Sequence, residues 1–367
     1  MRDRVACRCH SGADYDGCMP DLPHGLADLP SATWRALSLG DVDALVALHE
    51  AVGAADAGEE VINPELLRRQ LGDPHSPAPT NTLALSLPDG SLAGAIVVQE
   101  RLDAPDARRV ALFGTTRPDL RGRGIGTALL AWGVARAEEV LSMQPAGPPG
   151  VVEAMVDERR ADALALLEAA GFAPARWYLV MRCDLRDPIP PAVLQPGLRI
   201  EGYRPGLAEA VRLAHNEAFR DHWGSVPLEA DVWQRDFVGD PRFRGDLSFV
   251  VWAGEELAGY TVNYLVQTDP AAPGAPEGWI GQLGVRRPWR RQGVASALLA
   301  RSMRAFRDVG LDGAGLDVDS ENPTGAVGVY ARLGFRADGR SVRLQCPVGH
   351  GRPEGDRRRL PPRRSAP

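Results

Sequence analysis

At residues 284–296 the chain carries the stretch GVRRPWRRQGVAS, which decides its fold. The residues before it predict a β-strand, and the Ala- and Leu-rich residues after it predict an amphipathic helix. A helix that starts in such a turn exposes backbone N–H groups without helical acceptors, and small residues let a ligand approach them. Because the helix dipole adds positive potential at the same end, the turn suits a pyrophosphate. The alternative is a glycine that only lets the helix pack closely, and a glycine-rich turn by itself favours that alternative.

A related turn occurs in the first half of the chain, where residues 121–126 read RGRGIG against RRQGVA at residues 290–295. Three further pairs of segments match in the same order and at a nearly constant offset. They are residues 37–41 with 203–207, residues 91–94 with 256–259, and residues 170–172 with 333–335. Such ordered self-similarity indicates a duplication, and the strand and helix patterns of each copy predict an α/β domain with a mixed (α+β) sheet.

The length of 367 residues is too great for one ordinary core and agrees with two domains. We expect a disordered leader over residues 1–30, an N-terminal copy over 31–187, a Pro-rich linker over 188–197, a C-terminal copy over 198–347 and a disordered Arg- and Pro-rich tail over 348–367. The two copies therefore make up most of the chain.

Composition and charge exclude several classes of function. The net charge of -6 argues against a partner bound through nucleic-acid phosphates, and no apolar run reaches the roughly 20 residues of a membrane span. The five cysteines do not form a disulfide framework spread across the fold, which favours a reducing cytoplasm. Cys7, Cys9, His10 and Cys18 lack the usual spacing of a zinc site. We therefore expect a cytoplasmic protein with no metal, and with neither nucleic acid nor membrane as a partner.

With their order and spacing, the two turns resemble the Arg/Gln-x-x-Gly-x-Gly/Ala signature of the GCN5-related N-acetyltransferase (GNAT) superfamily. The matching positions are Arg121, Gly124 and Gly126 in the N-terminal copy and Arg290, Gly293 and Ala295 in the C-terminal copy. The resemblance covers residues 33–185 and 198–346. It implies two tandem GNAT acyl-CoA N-acyltransferase domains, each with a twisted sheet that splays between its fourth and fifth strands. It also implies acetyl-CoA as the acyl donor, with its pantetheine arm in that gap.

The same resemblance assigns the cofactor contacts. In the C-terminal copy it implies backbone contacts of Leu283 and Val285 with the arm, charge from Arg290, and a pyrophosphate cradle of amides from Arg291, Gln292, Gly293, Val294, Ala295 and Ser296. Asn322 would contact the arm, although its place before Pro323 would equally suit a helix N-cap. A second cofactor site would comprise Arg121, Gly122, Arg123, Gly124, Ile125, Gly126 and Thr127. A bulge near the splay would leave an amide to stabilise the developing oxyanion.

The resemblance further implies a general acid. Tyr330 occupies the position of the tyrosine that protonates the leaving thiolate, and its alternative role is that of an aromatic side chain packed on the sheet. In the N-terminal copy, Leu167 stands at the tyrosine position and Arg159 at the asparagine position. We therefore expect the chemistry in the C-terminal copy, and a cofactor holder or scaffold in the other.

The sequence offers several candidates for the general base. The family often places a glutamate on the strand before the cofactor turn, and Glu277 near the start of that strand is the candidate. A solvated loop charge would explain Glu277 as well. The other candidates are His215, Asp221 and His222, which lie on or just after the first helix of the C-terminal copy, and a water molecule.

The leading hypothesis is an N-acetyltransferase that acts on the primary amine of a small molecule, as a monomer or a homodimer. Its acceptor cleft would lie between residues 219–223 and the strands near Tyr260 and Tyr264. A second hypothesis follows from resemblance to mycothiol synthase, a tandem enzyme that acetylates a cysteinyl pseudo-disaccharide. It is weakened because the glutamate of that enzyme's fourth strand falls at Trp279. A third hypothesis is a non-catalytic acyl-CoA-binding or regulatory protein.

Overall fold

The computed structural model describes residues 21, 24–26, 31–56, 63–100, 107–145, 147–267, 276–322 and 325–348. The sequence-predicted tail after residue 348, most of the leader and the cysteines of the first 20 residues lie outside the described residues. No helix within these ranges combines the length and the apolar character needed to cross a bilayer.

Strands and helices follow the same order in the two copies, except that three α-helices precede the second strand of the N-terminal copy and two precede that of the C-terminal copy. The N-terminal copy contains β1 (Thr33–Arg35), α1 (Val42–Asp56), α2 (Pro64–Leu71), α3 (Ala78–Asn81), β2 (Thr82–Ser86), β3 (Leu92–Glu100), β4 (Arg108–Thr116), α4 (Ile125–Met143), β5 (Gly150–Asp157), α5 (Ala161–Ala169) and β6 (Ala173–Asp184). The C-terminal copy contains β7 (Leu198–Gly202), α6 (Ala208–Ala218), α7 (Ala230–Trp233), β8 (Phe249–Ala253), β9 (Glu256–Val266), β10 (Glu277–Val285), α8 (Val294–Asp308), β11 (Gly313–Asp319), α9 (Ala326–Arg332) and β12 (Arg336–Val348). This repetition confirms the predicted pair of mixed α/β domains.

Helix α8 packs on one face of the sheet in the way its sequence pattern predicts. Leu298 and Phe306 are fully buried in the core of the C-terminal copy, whereas Arg301 and Arg307 are exposed. A Cβ placed on Gly278 of β10 would lie 2.4 Å from the ring of Phe306, so only glycine permits this close approach. Helix α6 covers the opposite face, where a second cluster contains Tyr260 and other aromatic side chains. The sheet of this copy thus has an α8 face and an α6 face.

All twelve described strands form one continuous sheet with the order β1-β2-β3-β4-β5-β12-β6-β11-β10-β9-β8-β7. The copies exchange their last strands: β12 pairs with β5 of the N-terminal copy, and β6 pairs with β11 of the C-terminal copy. The two exchanged strands also pair with each other. Each copy therefore completes the sheet of the other.

The expected splay is present in both copies. Strands β4 and β5 pair in parallel from Arg108 to Leu112, and β10 and β11 pair in parallel only at Gly278 and Trp279. Beyond these residues the parallel pairing stops, because the strands separate toward the two glycine-rich turns. A cleft opens in each copy between its fourth and fifth strands.

Each turn is covered by a segment that precedes its own copy. Leu26, within the predicted leader, is buried in the N-terminal core, and the neighbouring Gly25 lies against the backbone of Arg123. In the predicted linker, Leu194 packs on the C-terminal core, and the carbonyl oxygen of Val193 lies against the turn. The predicted disordered leader therefore includes a packed segment, and the linker is docked on the fold.

Candidate active site

The two glycine-rich turns share an unusual backbone conformation. Gly122 and Gly124 have φ values of 74° and 89°, and the equivalent Arg291 and Gly293 have φ values of 62° and 81°. Two left-handed residues close together turn successive N–H groups toward one concavity, which suits an anion. The turn predicted from sequence thus has the same geometry in both copies.

In the C-terminal copy, the turn is joined to the start of α8. The amide of Ala297 donates to the carbonyl oxygen of Gly293 at 2.9 Å, so the amides of Val294, Ala295 and Ser296 precede the first helical hydrogen bond. The Arg290 guanidinium donates to the carbonyl oxygens of Val285 and Ala218, at 3.1 and 2.9 Å, which fixes its charge beside the turn.

Strand β10 offers a free edge along the splay. Leu283 and Val285 pair with β9 at Thr261 and Gly259, and the described pairing of β10 with β11 ends before them. A β-bulge at Gly281, between Ile280 and Gln282, lies next to the point where the two strands separate. An extended pantetheine arm fits this edge as an added strand would. The bulge provides the irregular backbone that was expected where an amide stabilises an oxyanion.

Asn322 lies in the turn between β11 and α9. Its amide donates to the carbonyl oxygen of Asp319 at 3.0 Å, and its own carbonyl oxygen accepts from Gly325 at 3.3 Å. The N-cap of α9 is Gly325, so the alternative of Asn322 as the N-cap is wrong. Its position beside the open end of β11 suits a contact with the arm.

Tyr330 lies on α9 and packs into the C-terminal core. Its ring meets that of Phe335 edge to face, with centroids 6.1 Å apart, and only 8% of the residue is exposed. Burial raises the pKa of the phenol to about 12, so the hydroxyl keeps its proton at neutral pH. The Tyr330 side chain is therefore packed in the core, as the alternative role from sequence stated, and its hydroxyl is protonated.

Glu277 occupies the closed end of β10, away from the separated strands. Its Oε2 atom lies 3.0 Å from Nε of Arg182, a residue of β6 in the other copy, and the carboxylate is buried. The structure therefore does not bring Glu277 together with the turn or with Tyr330. The carboxylate is engaged in a buried ion pair at the far end of the strand, which favours a structural role over contact with a substrate.

The remaining base candidates lie on the α6 face. His215 is buried, and its Nδ1 atom lies 2.6 Å from the hydroxyl of Tyr260; burial lowers its pKa to about 4. Asp221 forms an ion pair with Arg287 of the cofactor turn. His222 is half-buried, its ring lies 4.5 Å from that of Phe219, and burial lowers its pKa.

A wall of the C-terminal site comes from the N-terminal copy. Arg176 of β6 donates from Nε to both carboxylate oxygens of Asp319, at 3.1 and 3.0 Å, and from Nη1 to Glu321 at 2.7 Å. Trp223 rests over Arg176 at 5.6 Å and over Arg109 at 5.1 Å. The loop after α6 is thus tied to the end of β11, and it crosses the mouth of the splay.

Sequence reasoning missed this wall, because no local pattern shows that a strand of one copy borders the site of the other. The only available signal was the pair of arginines on an alternating strand, Arg176 and Arg182, whose charges need partners on the neighbouring strand. That signal does not indicate which acidic residues pair with the two arginines.

The N-terminal copy contains a cavity of about 630 Å³ at its splay, lined by Leu112, Gly122, Gly124 and Leu167 among others. Here the arginines are already paired. Arg121 donates to both oxygens of Asp56, at 2.6 and 2.7 Å, and Arg160 lies 2.6 Å from the same carboxylate. Arg159, at the asparagine position, pairs with Asp157. The turn of this copy has the geometry of an anion site, but a carboxylate of its own chain neutralises its arginine.

Comparison with known proteins agrees with this geometry. The model of the Acetyltransferase (GNAT) family matches residues 208–335. The mycothiol acetyltransferase of Salinispora arenicola is 34% identical over 302 residues, which cover 79% of this chain and 88% of the relative. The mycothiol acetyltransferase of Thermobispora bispora is 32% identical over 300 residues, which cover 81% of this chain and 92% of that relative.

Solved structures show the same architecture. A GCN5-related N-acetyltransferase from Sphaerobacter thermophilus has a TM-score of 0.69 and 27% identity, covering 88% of this chain and 98% of that one. A tandem GNAT protein from the clavulanic acid biosynthesis pathway has a TM-score of 0.63 at 18% identity, covering 88% and 100%, and shares the fold. The chain belongs to the GNAT family of acetyltransferases, in a tandem-domain form, and takes its acetyl group from acetyl-CoA.

Proposed function

We propose that this acetyltransferase acetylates the primary amine of a small molecule, and that the reaction takes place in the C-terminal copy. One observation carries the proposal: of the two described splays, only that between β10 and β11 has both an arginine beside the turn that is held by backbone carbonyl oxygens, where Arg121 is held by a carboxylate, and a tyrosine at the acid position. Membership in the family sets aside a purely binding role for the whole protein.

The residues of the C-terminal copy would hold acetyl-CoA in the following way. The amides of residues 291–296 bind the pyrophosphate, Arg290 and Arg291 add positive charge, and the free edge at Leu283 and Val285 binds the arm together with Asn322. Bound acetyl-CoA supplies an acetyl thioester as the acyl donor. An amide at the Gly281 bulge stabilises negative charge on the acetyl oxygen.

Tyr330 acts as the general acid in this proposal. The phenol is protonated at neutral pH, and it donates its proton to the sulfur as the C–S bond breaks. Glu277 was the base suggested by sequence, but its ion pair with Arg182 favours a structural role.

We propose a second cofactor site in the N-terminal copy, over residues 121–127, that binds acetyl-CoA only when the cofactor displaces a carboxylate. The left-handed turn and the cavity favour binding, whereas the pairing of Arg121 and Arg160 with Asp56 opposes it. A diphosphate must displace this carboxylate to use the arginines. We therefore expect weaker acetyl-CoA binding there than in the C-terminal copy.

A second candidate acceptor is that of the mycothiol acetyltransferases, since relatives with that name match most of this chain. The site differs from the pattern expected for that acceptor at Trp279, where an aromatic ring stands in place of a glutamate. This ring lies against Gly315 of β11, where a Cβ atom would be 2.4 Å from it. A primary amine is common to both candidates, and an acceptor panel that includes a cysteinyl pseudo-disaccharide beside simple amines separates them.

The proposal is tested with a Tyr330→Phe variant and a panel of amines, with release of free CoA thiol and the mass of the acetylated product as readouts. We expect kcat to fall by roughly 10²-fold, which is the lower end of what general acid catalysis contributes, with unchanged CoA binding. Tyr203→Phe is the matched control, because Tyr203 packs on Phe243 at the outer edge of the sheet. Undiminished turnover by Tyr330→Phe would contradict the acid assignment.

A further inference from the structure

The loop that follows α6 is attached to the β10 side of the C-terminal splay. Arg290 donates to the carbonyl oxygens of Ala218, the last residue of α6, and of Val285, the last residue of β10. Three residues further along the loop, Asp221 forms an ion pair with Arg287, which follows β10 as well. The loop therefore begins beside the end of β10.

The same loop is attached to the β11 side two residues later. Trp223 lies over the guanidinium of Arg176, whose Cζ atom is 5.6 Å from the centroid of the ring. Arg176 also lies 3.0 Å from the carboxylate of Asp319, the last residue of β11. Residues 221–223 thus extend from the end of β10 to the end of β11. His222 lies in the middle of this span, over the open end of the splay.

The position of His222 is fixed by its backbone and by one contact of its ring. Its amide donates to the carbonyl oxygen of Phe219 at 2.8 Å, and its own carbonyl oxygen accepts from the amide of Ser225 at 3.1 Å. The ring packs on that of Phe219, with centroids 4.5 Å apart, and the residue is half-buried. Within the described part of the chain, no hydrogen bond engages a ring nitrogen of His222. An imidazole held in this way can accept a proton from a ligand.

The surroundings of His222 favour the neutral ring. Burial lowers its pKa below the ordinary value of 6.5, while Asp319 raises the pKa and Arg290 lowers it from the two sides of the opening. The titratable and charged groups that act on the ring are His215 on α6, Asp221 on the loop, Arg290 on the cofactor turn, Asp319 on β11 and Arg176 on β6. A histidine that is neutral at pH 7 is ready to act as a general base.

The other side chains that the sequence offers as bases are engaged elsewhere. Glu277 pairs with Arg182 at the closed end of β10, and His215 is buried against the hydroxyl of Tyr260. Asp221 is the residue that attaches the loop to the cofactor turn.

We propose that His222 is the general base of the acetyl transfer, and that Asp221 and Trp223 position it over the splay from either side. This inference rests on the proposed function. It places the base on the loop after α6, whereas the resemblance suggested a carboxylate on the fourth strand.

The proton balance is complete with His222 and Tyr330. The acceptor enters as its free amine, and the nitrogen lone pair forms the C–N bond to the acetyl carbon. The nitrogen, now positively charged, gives one proton to the ring of His222. The C–S bond breaks with its electron pair on sulfur, and Tyr330 donates a proton to the sulfur. His222 then releases its proton to solvent and Tyr330 regains one, so the cycle neither gains nor loses a proton.

The experiment compares His222→Gln with the wild-type protein, using glucosamine, alaninamide and putrescine as amine probes and free CoA thiol as the readout. Glutamine keeps a polar side chain but accepts no proton at neutral pH. We expect kcat/KM for the best acceptor to fall by roughly 10²-fold, with the KM for acetyl-CoA unchanged. His75→Gln is the matched control, because His75 is an exposed histidine between α2 and α3 of the N-terminal copy.

The pH dependence provides a readout that a structural role would not change. At pH values below the pKa of His222, we expect kcat/KM of the wild type to fall with the second power of the proton concentration. Both the acceptor amine and His222 must then lose a proton before reaction. In His222→Gln the fall is expected to follow the first power, because only the amine titrates. Imidazole added to His222→Ala is expected to raise its rate at least tenfold, since a free base replaces the missing ring.

The outcomes separate the two proposals. A wild-type protein that acetylates none of the amines overturns the proposed function, and the role of His222 with it. An active wild type alongside His222→Gln of equal rate overturns the role of His222 alone and leaves water as the base. A slower His222→Gln that keeps the second-power dependence, with no rescue of His222→Ala by imidazole, also overturns that role.

Discussion

Arg291 occupies a backbone conformation that a residue with a Cβ atom adopts at a cost of about 1 kcal/mol. Its φ is 62°, and the equivalent residue of the N-terminal copy is Gly122, which adopts 74° without that cost. Strain of this kind persists where the surrounding structure or the function requires it. We infer that the C-terminal copy retains an arginine here because its exposed guanidinium adds charge to the anion site.

Two reciprocal substitutions test this inference. Gly122→Ala is expected to lower the free energy of unfolding by about 1 kcal/mol, and since no atom lies within 4 Å of the added Cβ, the loss reports backbone strain alone. Arg291→Gly is expected to raise the free energy of unfolding by up to about 1 kcal/mol, because it removes the same strain, and to weaken CoA binding by about tenfold. Thermal unfolding and calorimetry measure the two effects. A Gly122→Ala protein as stable as the wild type would show that the strain is negligible.

His215 makes stability depend on pH. Its pKa in the folded protein is about 4 against an ordinary value of 6.5, because burial disfavours the charged ring. Between these pH values the unfolded chain binds more protons than the folded one, so stability rises with pH across the window and is lost as pH falls through it. The shift corresponds to about 3 kcal/mol. We expect His215→Gln to flatten the dependence of Tm on pH between 4 and 6.5, and an unchanged slope would contradict the assignment.

At the scale of strands, the ion pair of Glu277 with Arg182 joins β10 to β6 across the intervening β11. The ion pair can cross β11 because residue 313 of that strand is glycine. A Cβ atom on Gly313 would lie 3.1 Å from Oε1 of Glu277. Side chains that reach over a middle strand fix the relative position of the two outer ones. The pair therefore stabilises the junction between the copies.

Replacing Glu277 distinguishes this role from catalysis. We expect Glu277→Gln to lower the free energy of unfolding by about 1 to 3 kcal/mol, since it removes the charge of one carboxylate that pairs with the partly buried Arg182, and to retain the wild-type pH profile of kcat. Chemical denaturation and steady-state kinetics measure the two. Loss of the acid limb of the profile with stability intact would restore Glu277 as the base.

The sequence predicted those elements whose signals are local. The cofactor turn and α8 follow from small residues and apolar periodicity within residues 284–308, and Tyr330 follows from its place in a motif. The partner of Glu277 could not be predicted in this way. It depends on which strand lies beside β11, and strand pairing between distant segments leaves no local pattern.

At the scale of the whole molecule, the exchange of β6 and β12 makes the two copies one folding unit. Without β12, the N-terminal copy would expose the edge of β5, and without β6, the C-terminal copy would expose the edge of β11. Unpaired edges of this length favour aggregation. The duplicated sequence therefore does not imply two independent domains.

A chain divided within the linker tests this dependence. We expect fragments 1–187 and 188–367 to aggregate when produced separately and to copurify as a 1:1 complex with acetyltransferase activity when produced together. The linker stays with the second fragment because Ile189 and Leu194 pack on its core. Size-exclusion chromatography and activity measurements decide the outcome. A folded, monomeric second fragment would refute the shared sheet.

The strand exchange also sets the order of events during synthesis. Strand β5 is complete at Asp157, but its neighbour β12 begins at Arg336 and ends at Val348. At about 5–20 residues per second, a ribosome needs roughly 10 to 40 s to make the intervening chain. For that time the nascent N-terminal copy has an unprotected strand edge that chaperones must cover. The last of the described strands, β12, therefore completes the copy that was made first.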